Sequence, residues 1–327
     1  MNRRTDDISV IQEISKRLAQ CRRPLIVSHV RPDGDAIGSV IALGLALKEA
    51  GKFPVMVLED GVPAKYKFLN GSEDVVTKPD GSFDLVIAVD SADRDRLGDY
   101  FREIPIDINI DHHITNDLFA GINLVSPETA ATAAILAEML PEMGFKIEKD
   151  AASALLMGII TDTIGFRTSN TGPGELRIAA ELIERGASLS DIYFRTLVSQ
   201  SFSSLQLWGY ALAMLEREDG LIWTTITLED RQRARYNGRD DADLTNILSA
   251  VKGGEISVLF NEQNNGKVKI SWRSSSEADV SKIAQQFGGG GHPPAAGAEL
   301  EGDLEQVQEI ILDRTRQYLN SLRKREK

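Results

Sequence analysis

The sequence predicts an α/β protein: a doubly wound, mostly parallel sheet in a first domain, then a smaller α/β domain, joined by a helical linker. Three observations predict it. Short, nearly continuous apolar runs suit strands buried on both faces of a parallel sheet, and a helical pattern separates the first two of them. The patterning changes near residue 200, from helices back to alternating strands and helices. The length, 327 residues, suits two domains that each bury a core.

Taken in order, "PLIVSH" (24–29), "FPVMVL" (53–58), "DLVIAVD" (84–90) and "IDINID" (106–111) read as strands. Between the first two, "AIGSVIALGLALKEAG" (36–51) reads as a well-buried helix ended by Gly51, which completes a βαβ unit. From Ala130 to about Gln200, "TAAILAEML", "DAASALLMGIITDTIGF" and "GELRIAAELIERG" space apolar residues three and four apart, as helices do. "SFSSLQLWGYALAMLERE" (201–218) continues the helical pattern. Strands resume at "LIWTTITL" (221–228), and "EISVLFNEQNNGKVKISWRS" (255–274) reads as a hairpin around Asn265-Gly266. An amphipathic helix closes the chain, ending in the basic "RKREK". The expected division is 1–195, a linker over 196–215, and 216–327.

Composition narrows the function. A net charge of −12 argues against a broad basic surface gripping long duplex nucleic acid. It leaves room for a small phosphorylated ligand at a metal centre, because a bound dication dominates its local field. With Cys21 the single cysteine, no intrachain disulfide forms, and a cytoplasmic setting is the simplest expectation. No apolar run reaches the length of a membrane span and "MNRRTDDISV" lacks a signal-peptide core, so no membrane association is expected.

The acids and histidines fall where strands end. The first strand leads into "SHVRPDGDAIGS", with His29, Asp33 and Asp35. The third ends at Asp90, and the fourth at Asp111, followed by His112 and His113. Ligands of doubly wound sheets bind beyond the carboxyl ends of the strands, which is where these residues land. Asp162 interrupts the apolar "LLMGIITDTIGF", where a carboxylate without a partner is costly. Each residue alone has a plain structural reading: Asp33 or Asp35 as a helix cap, Asp90 as a strand-end cap, Asp162 as a backbone-bonded aspartate. Together, His29, Asp33, Asp35, Asp90, His112 and Asp162 are too many ligands for one ion and suit two that share a carboxylate. The mixed imidazole–carboxylate set favours Mn²⁺, with Mg²⁺, Co²⁺ or Zn²⁺ as substitutes. Two such ions are suited to hydrolysing phosphate esters.

The fourth histidine, His292, follows four glycines in "FGGGGHPPAAG" (287–297). That run is equally a flexible linker or a loop whose backbone N–H groups wrap an anionic or planar group. Arg273, at the end of the preceding hairpin, suits phosphate, though a lone arginine is usually a solvated surface group.

These motifs, in this order, resemble the DHH phosphoesterase family. "GGGGHPPAAG" is similar to the signature of its DHH-associated C-terminal domain. The layout from about residue 10 to 322 resembles the bifunctional oligoribonucleases and 3′-phosphoadenosine-5′-phosphate phosphatases, also called nano-RNases. The resemblance implies two Mn²⁺ ions, one on His29 and Asp33, the other on Asp35, His112 and Asp162, with Asp90 bridging. It implies that His113 lies near the leaving group or a phosphate oxygen, with Asp111 orienting a neighbour. Arg273, Gly289, Gly290, Gly291 and His292 would bind the substrate's terminal phosphate and nucleotide. Arg96 matches a recurrent family arginine, although a structural ion pair explains it equally well. The implied substrates are short single-stranded RNA oligonucleotides and phosphorylated nucleotides, and a homodimer is an allowed assembly. Hydrolysis of linear or cyclic dinucleotides is the alternative within the enzyme class. A catalytically silent nucleotide-binding module is the alternative outside it, and would be expected to have lost metal ligands that are all present here.

Overall fold

In the computed structural model, residues 5–275 and 277–325 are described, and the chain divides into two units at Ser199/Gln200. The first unit carries helix α1 (Thr5–Gln20), strand β1 (Pro24–Val27), helix α2 (Gly34–Glu49), and strands β2 (Val55–Val57), β3 (Val75–Val76), β4 (Leu85–Val89), β5 (Ile108–Asp111) and β6 (Ile122–Val125). Helices α3 (Thr132–Glu142), α4 (Lys149–Asp162), α5 (Pro173–Glu184) and α6 (Leu189–Tyr193) follow. The six strands are all parallel, in the order β3-β2-β1-β4-β5-β6.

That order places β1 beside β4 although they are not consecutive in the chain. The sheet changes winding direction between them, and such a switch point opens a crevice at the carboxyl ends. Every residue of β1 is buried, consistent with its uninterrupted apolar run, and so is all of β5, where Asn109 and Asp111 are buried between and beside its isoleucines. Helix α2 is buried along Gly34–Leu47 except at the partly buried Leu45, with little polar face, because it is covered by α4 as well as by the sheet. Two glycines allow that approach. A Cβ on Gly38 would lie 2.4 Å from the Ala154 carbonyl oxygen, and one on Gly158 would lie 2.7 Å from the Ala133 Cβ and 2.8 Å from Asp35 Oδ1. Side chains at these positions would hold α2, α3 and α4 apart.

The second unit comprises helix α7 (Phe202–Ala213), strands β7 (Glu216–Glu218) and β8 (Leu221–Ile226), helices α8 (Leu228–Ala234) and α9 (Leu244–Leu248), strands β9 (Ile256–Glu262) and β10 (Lys267–Ser274), helix α10 (Ser281–Gln285), strands β11 (Gly290–His292) and β12 (Ala295–Glu301), and helix α11 (Leu304–Arg325). Its sheet runs β11-β12-β10-β9-β8-β7, with β8 and β9 parallel and the other pairs antiparallel. Trp272, fully buried in β10, anchors one of its cores and donates from Nε1 to Thr315 Oγ1 at 3.2 Å. Leu207 and Ala211 of α7 pack into another with Ile226, Leu244 and Leu259.

Two sequence expectations are corrected here. The helical pattern over 201–218 stops at Ala213, and Glu216–Glu218 forms an exposed edge strand. Asp219 (φ +42°) and Gly220 (φ +82°) both adopt left-handed backbone, which makes the tight hairpin that returns the chain as β8. The glycine-rich run is a paired element: Gly290–His292 pairs with Ala295–Gly297 about Pro293-Pro294. Glycine is required there by close approach, since a Cβ on Gly289 would lie 2.1 Å from the Gly297 carbonyl oxygen and one on Gly291 2.4 Å from that of Ala295. The basic end "RKREK" lies outside the described residues from Glu326 on, as do the side chains of Lys324 and Arg325.

Candidate metal centre

The carboxyl ends of β1, β4 and β5 lie side by side, and each ends in a polar residue the sheet cannot bury cheaply. His29 follows β1, Asp90 follows β4 and Asp111 closes β5, and all three are at most 2% exposed. Asp90 holds φ +55°, a left-handed backbone that non-glycine residues adopt at a cost of about 1 kcal/mol or more. Its N–H donates to the Ile110 carbonyl at 2.9 Å, which fixes the turn off the strand.

Six of the residues singled out in the sequence converge. His29 Nε2 lies 3.9 Å from Asp33 Oδ2 and 3.7 Å from Asp90 Oδ2. His112 Nε2 lies 3.6 Å from Asp90 Oδ1, 4.0 Å from Asp35 Oδ2 and 3.5 Å from Asp162 Oδ2. His29, Asp33 and Asp90 thus form one donor trio, and Asp35, His112 and Asp162 another. The two oxygens of Asp90 face different histidines, so this carboxylate stands between the trios.

Neighbouring groups orient these donors. His29 Nδ1 lies 3.0 Å from the Val30 carbonyl and His112 Nδ1 3.3 Å from that of Thr129. Donation to those carbonyls would hold a proton on Nδ1 of each ring, so that Nε2, which faces the carboxylates, is the nitrogen a metal ion would take in exchange for its proton. Asp33 caps α2, its Oδ1 accepting from the Asp35 and Ala36 N–H groups at 3.1 Å, while Oδ2 faces His29. Asp35 accepts from the Thr132 N–H at 2.6 Å and the Ala133 N–H at 2.9 Å, at the start of α3, where the helix dipole favours negative charge. Thr132 Oγ1 donates to Asp90 Oδ1 at 3.0 Å. Thr132 therefore orients two of the carboxylates, a role the sequence analysis missed. A threonine at a helix start was the available signal, read only as part of "TAAILAEML".

Asp111 and His113 form a separate pair. His113 Nδ1 lies 2.7 Å from Asp111 Oδ1, and Asn116 Nδ2 donates to Asp111 Oδ2 at 2.6 Å and to the Ser91 carbonyl at 3.1 Å. Asn116 is a second residue the sequence analysis passed over. The two histidine rings meet edge to face with centroids 4.6 Å apart. His113 Nδ1 also lies 3.8 Å from Asp90 Oδ1.

The electrostatics test whether cations fit. Burial, then the charges of Asp90, Asp162 and Asp33, pushes the Asp35 carboxyl well above the ordinary carboxylate range. Burial, then Asp90 and Asp33, does the same to Asp162. For Asp90 burial also pushes upward, but the hydrogen bond from His29 and the charges of His112 and His113 outweigh it and hold the carboxyl low. Burial would lower His113, yet the Asp111 bond and the Asp90 charge raise it to about 9. The protein alone leaves buried carboxylates crowded against one another, and imidazole nitrogens directed at them. Divalent cations relieve that repulsion, so the donor set fits them.

The sequence-predicted residues of the second unit lie apart from this cluster in the chain. Arg273 sits at the end of β10 paired with Ala295, and burial lowers its guanidinium below the ordinary range. Gly289 precedes β11, and Gly290, Gly291 and His292 form it. The side chain of His292 lies outside the described residues. Arg96 Nη2 lies 3.2 Å from His29 Nδ1, at the rim of the first trio.

Two family models match the chain: the N-terminal domain of the DHH family over residues 23–159 and the DHHA1 domain over 214–321. Among relatives, the bifunctional oligoribonuclease and PAP phosphatase NrnA of Thermus thermophilus is 37% identical over 302 residues, covering 90% of this chain and 89% of that protein. The protein of the same name from Bacillus subtilis is 27% identical over 293 residues, covering 87% and 91%. An exopolyphosphatase-related protein from Bacteroides fragilis superposes with a TM-score of 0.88 at 27% identity, covering 96% of each chain.

Proposed function

Because the chain belongs to the DHH family and is a metal-dependent phosphoesterase, we propose that it hydrolyses very short RNA oligonucleotides to mononucleotides. In the same reading it converts 3′-phosphoadenosine-5′-phosphate to AMP and phosphate. The observation that carries the proposal is Asp90, whose two oxygens face His29 and His112 from the centre of two donor trios. The names of the Thermus and Bacillus relatives support the substrate class.

The resident ions would be two Mn²⁺, with Mg²⁺ or Co²⁺ as substitutes. His29 and Asp33 would hold one, Asp35, His112 and Asp162 the other, and Asp90, whose oxygens face both histidines, would serve both. When bound, the ions supply Lewis-acid activation of water and neutralise phosphoryl charge. The protein's own part is orientation. The Val30 and Thr129 carbonyls keep the two imidazoles in the ligating tautomer, and α3 holds Asp35 and Asp90 in register. His113, with Nδ1 engaged by Asp111, presents the proton on Nε2 to a substrate oxygen. Arg273, Gly289, Gly290, Gly291 and His292 bind the terminal phosphate and nucleotide.

In this reading residues 1–195 form the catalytic domain, 196–215 a linker, and 216–327 the substrate-binding domain. The protein is cytoplasmic and acts without long duplex nucleic acid or membrane. No helix among the described residues is long and apolar enough to cross a membrane. The test is a panel of diadenylate, longer oligoadenylates, cyclic dinucleotides, 3′-phosphoadenosine-5′-phosphate and pyrophosphate, each with Mn²⁺. Turnover of diadenylate and 3′-phosphoadenosine-5′-phosphate is expected. Preference for cyclic dinucleotides would replace the substrate assignment, and no turnover of any compound would overturn the reading. His112→Ala or Asp90→Ala should abolish hydrolysis through metal loss, and retained activity with full metal occupancy would refute the ligand set.

A further inference from the structure

The segment "RQRARYNGRD" (231–240) has no part in the chemistry described above, yet it builds a recess in the second unit. The recess encloses about 690 Å³ and is lined from one side by Arg231, Gln232, Arg235 and Arg239, and from the other by Glu262 and Gln263. Its volume is that of a site for a nucleotide-sized molecule, within ~300–1,000 Å³.

Its position separates it from the residues expected to bind substrate. Arg273 pairs with Ser257 at the start of β9, whereas Glu262 ends that strand. Five residues of strand at ~3.3 Å each put about 17 Å between the two ends. The recess lies beyond the carboxyl ends of β8 and β9, the parallel pair of this sheet, which is where α/β sheets hold ligands.

Its charge is the second observation. Arg231 is 8% exposed, and its hydrogen-bond partners among the described residues are neutral oxygens. Its guanidinium donates to the Gly238 carbonyl at 2.6 Å, the Asp240 carbonyl at 2.6 Å and Asn261 Oδ1 at 2.5 Å. Hydrogen bonds to neutral acceptors satisfy its donors without cancelling its charge. Arg233 is spent on Glu229, whereas Arg235 and Arg239 are exposed and, among the described residues, form no ion pair. Acids also stand near: Glu262 Oε2 accepts from the Leu228 N–H at 2.8 Å, the Asp240 carboxylate accepts from the Tyr236 hydroxyl and the Ala242 N–H, and the charges of Asp240 and Asp241 act on Arg231. Among the residues that line the recess, three arginines stand with a single acid, Glu262, in a chain of net charge −12.

We propose that this recess is a second anion site, which takes the phosphate of a mononucleotide-sized ligand on Arg235 and Arg239, with Arg231 holding the 238–240 loop and adding its charge. Guanidinium forks suit phosphate oxygens, and Gln232 and Gln263 offer donors and acceptors to the remainder of the ligand. Tyr236 lies beneath the Arg231 guanidinium, 5.7 Å from it, so hydrogen bonding rather than stacking on that ring sets recognition.

The probe is AMP, titrated calorimetrically into the full-length Mn²⁺-loaded protein, with adenosine as the neutral control and inorganic pyrophosphate as competitor. One binding event should weaken at least about tenfold in Arg235→Glu/Arg239→Glu and be unaffected by Arg273→Ala. Pyrophosphate should displace that event, adenosine should not produce it, and AMP should slow hydrogen exchange in 228–240 and 262–264. Both substituted arginines are exposed, so the fold survives their reversal, which an unchanged melting temperature verifies. AMP binding indifferent to the double substitution, or adenosine binding as tightly as AMP, would overturn the site. An AMP event sensitive only to Arg273→Ala would support the substrate assignment and refute the recess, so the two proposals fail separately.

Discussion

Gly158 lies within α4, where alanine should raise helix stability by about 1 kcal/mol if propensity alone decided. The structure reverses the sign. The new methyl would sit 2.7 Å from the Ala133 Cβ and 2.8 Å from Asp35 Oδ1, far inside the ~3.5–4.0 Å of ordinary carbon contact. Neither neighbour can swing away. The Ala133 Cβ is fixed to the α3 backbone, and the Asp35 carboxylate is held by two N–H groups of that helix. Overpacking against immovable atoms costs about 1–3 kcal/mol, and the upper end applies, leaving a net loss of about 2 kcal/mol after the propensity gain. For a unit of 199 residues this lowers Tm by about 4–8 °C. Because the displaced group is Asp35, Mn²⁺ affinity should fall along with stability, by about tenfold or more. Gly209→Ala is the matched control. Gly209 is exposed within α7, and no atom lies within 4 Å of the place its methyl would take, so that variant should gain about 0.5–1 kcal/mol. Scanning calorimetry with and without Mn²⁺ measures both. A Gly158→Ala protein as stable as its parent, with unchanged Mn²⁺ binding, would refute the account of how α2, α3 and α4 position the site.

Three further predictions concern the same protein. Thr132→Val removes the hydroxyl that donates to Asp90 and should weaken Mn²⁺ binding about 10–100-fold, whereas Thr132→Ser should restore it; calorimetric titration of metal distinguishes them. Stability of the chelated protein should fall as pH rises from about 5 to 9. Asp35 and Asp162 bind protons more tightly folded than unfolded, so their contribution is lost above the ordinary carboxylate range, and that of His113 is lost between its ordinary value and about 9. Asp90, shifted the other way, acts only at more acid pH. A melting temperature that rises between pH 5 and 8 would contradict the crowding of charge described for the centre. Arg231→Met strands the Gly238 and Asp240 carbonyls and Asn261, and should destabilise the second unit by about 2–4 kcal/mol, read by denaturant unfolding.

β1 and β4 were legible because burial writes itself as unbroken apolar runs, and β5 because its isoleucines alternate with polar residues; His29, Asp90 and Asp111–His113 were legible because they stand at the ends of those strands, and Asp162 because it interrupts an apolar helix. Edge elements were not. β3 has two residues and β6 pairs on one side only, so neither carries a long enough pattern. Residues 216–218 are all charged and exposed, and only the following Asp219-Gly220 marked a hairpin. The glycine run was ambiguous because glycine reports permitted conformations without choosing between a loop and a tightly paired ribbon. Thr132 and Asn116 were invisible for a different reason. Their partners are 42 and 5 residues away in the chain, and they matter only through groups that tertiary packing brings into reach.

The left-handed backbone at Asp90 restricts what evolution can substitute there. Of the twenty residues, glycine, asparagine and aspartate enter that conformation most readily, and of these aspartate alone carries a charge. A lineage released from selection for hydrolysis would then drift first to asparagine or glycine, since these relieve the repulsion among the carboxylates without disturbing the turn between β4 and its neighbours. The residue at this one position becomes a marker, readable without any assay, that separates working copies of the enzyme from descendants that keep its shape and have lost its reaction.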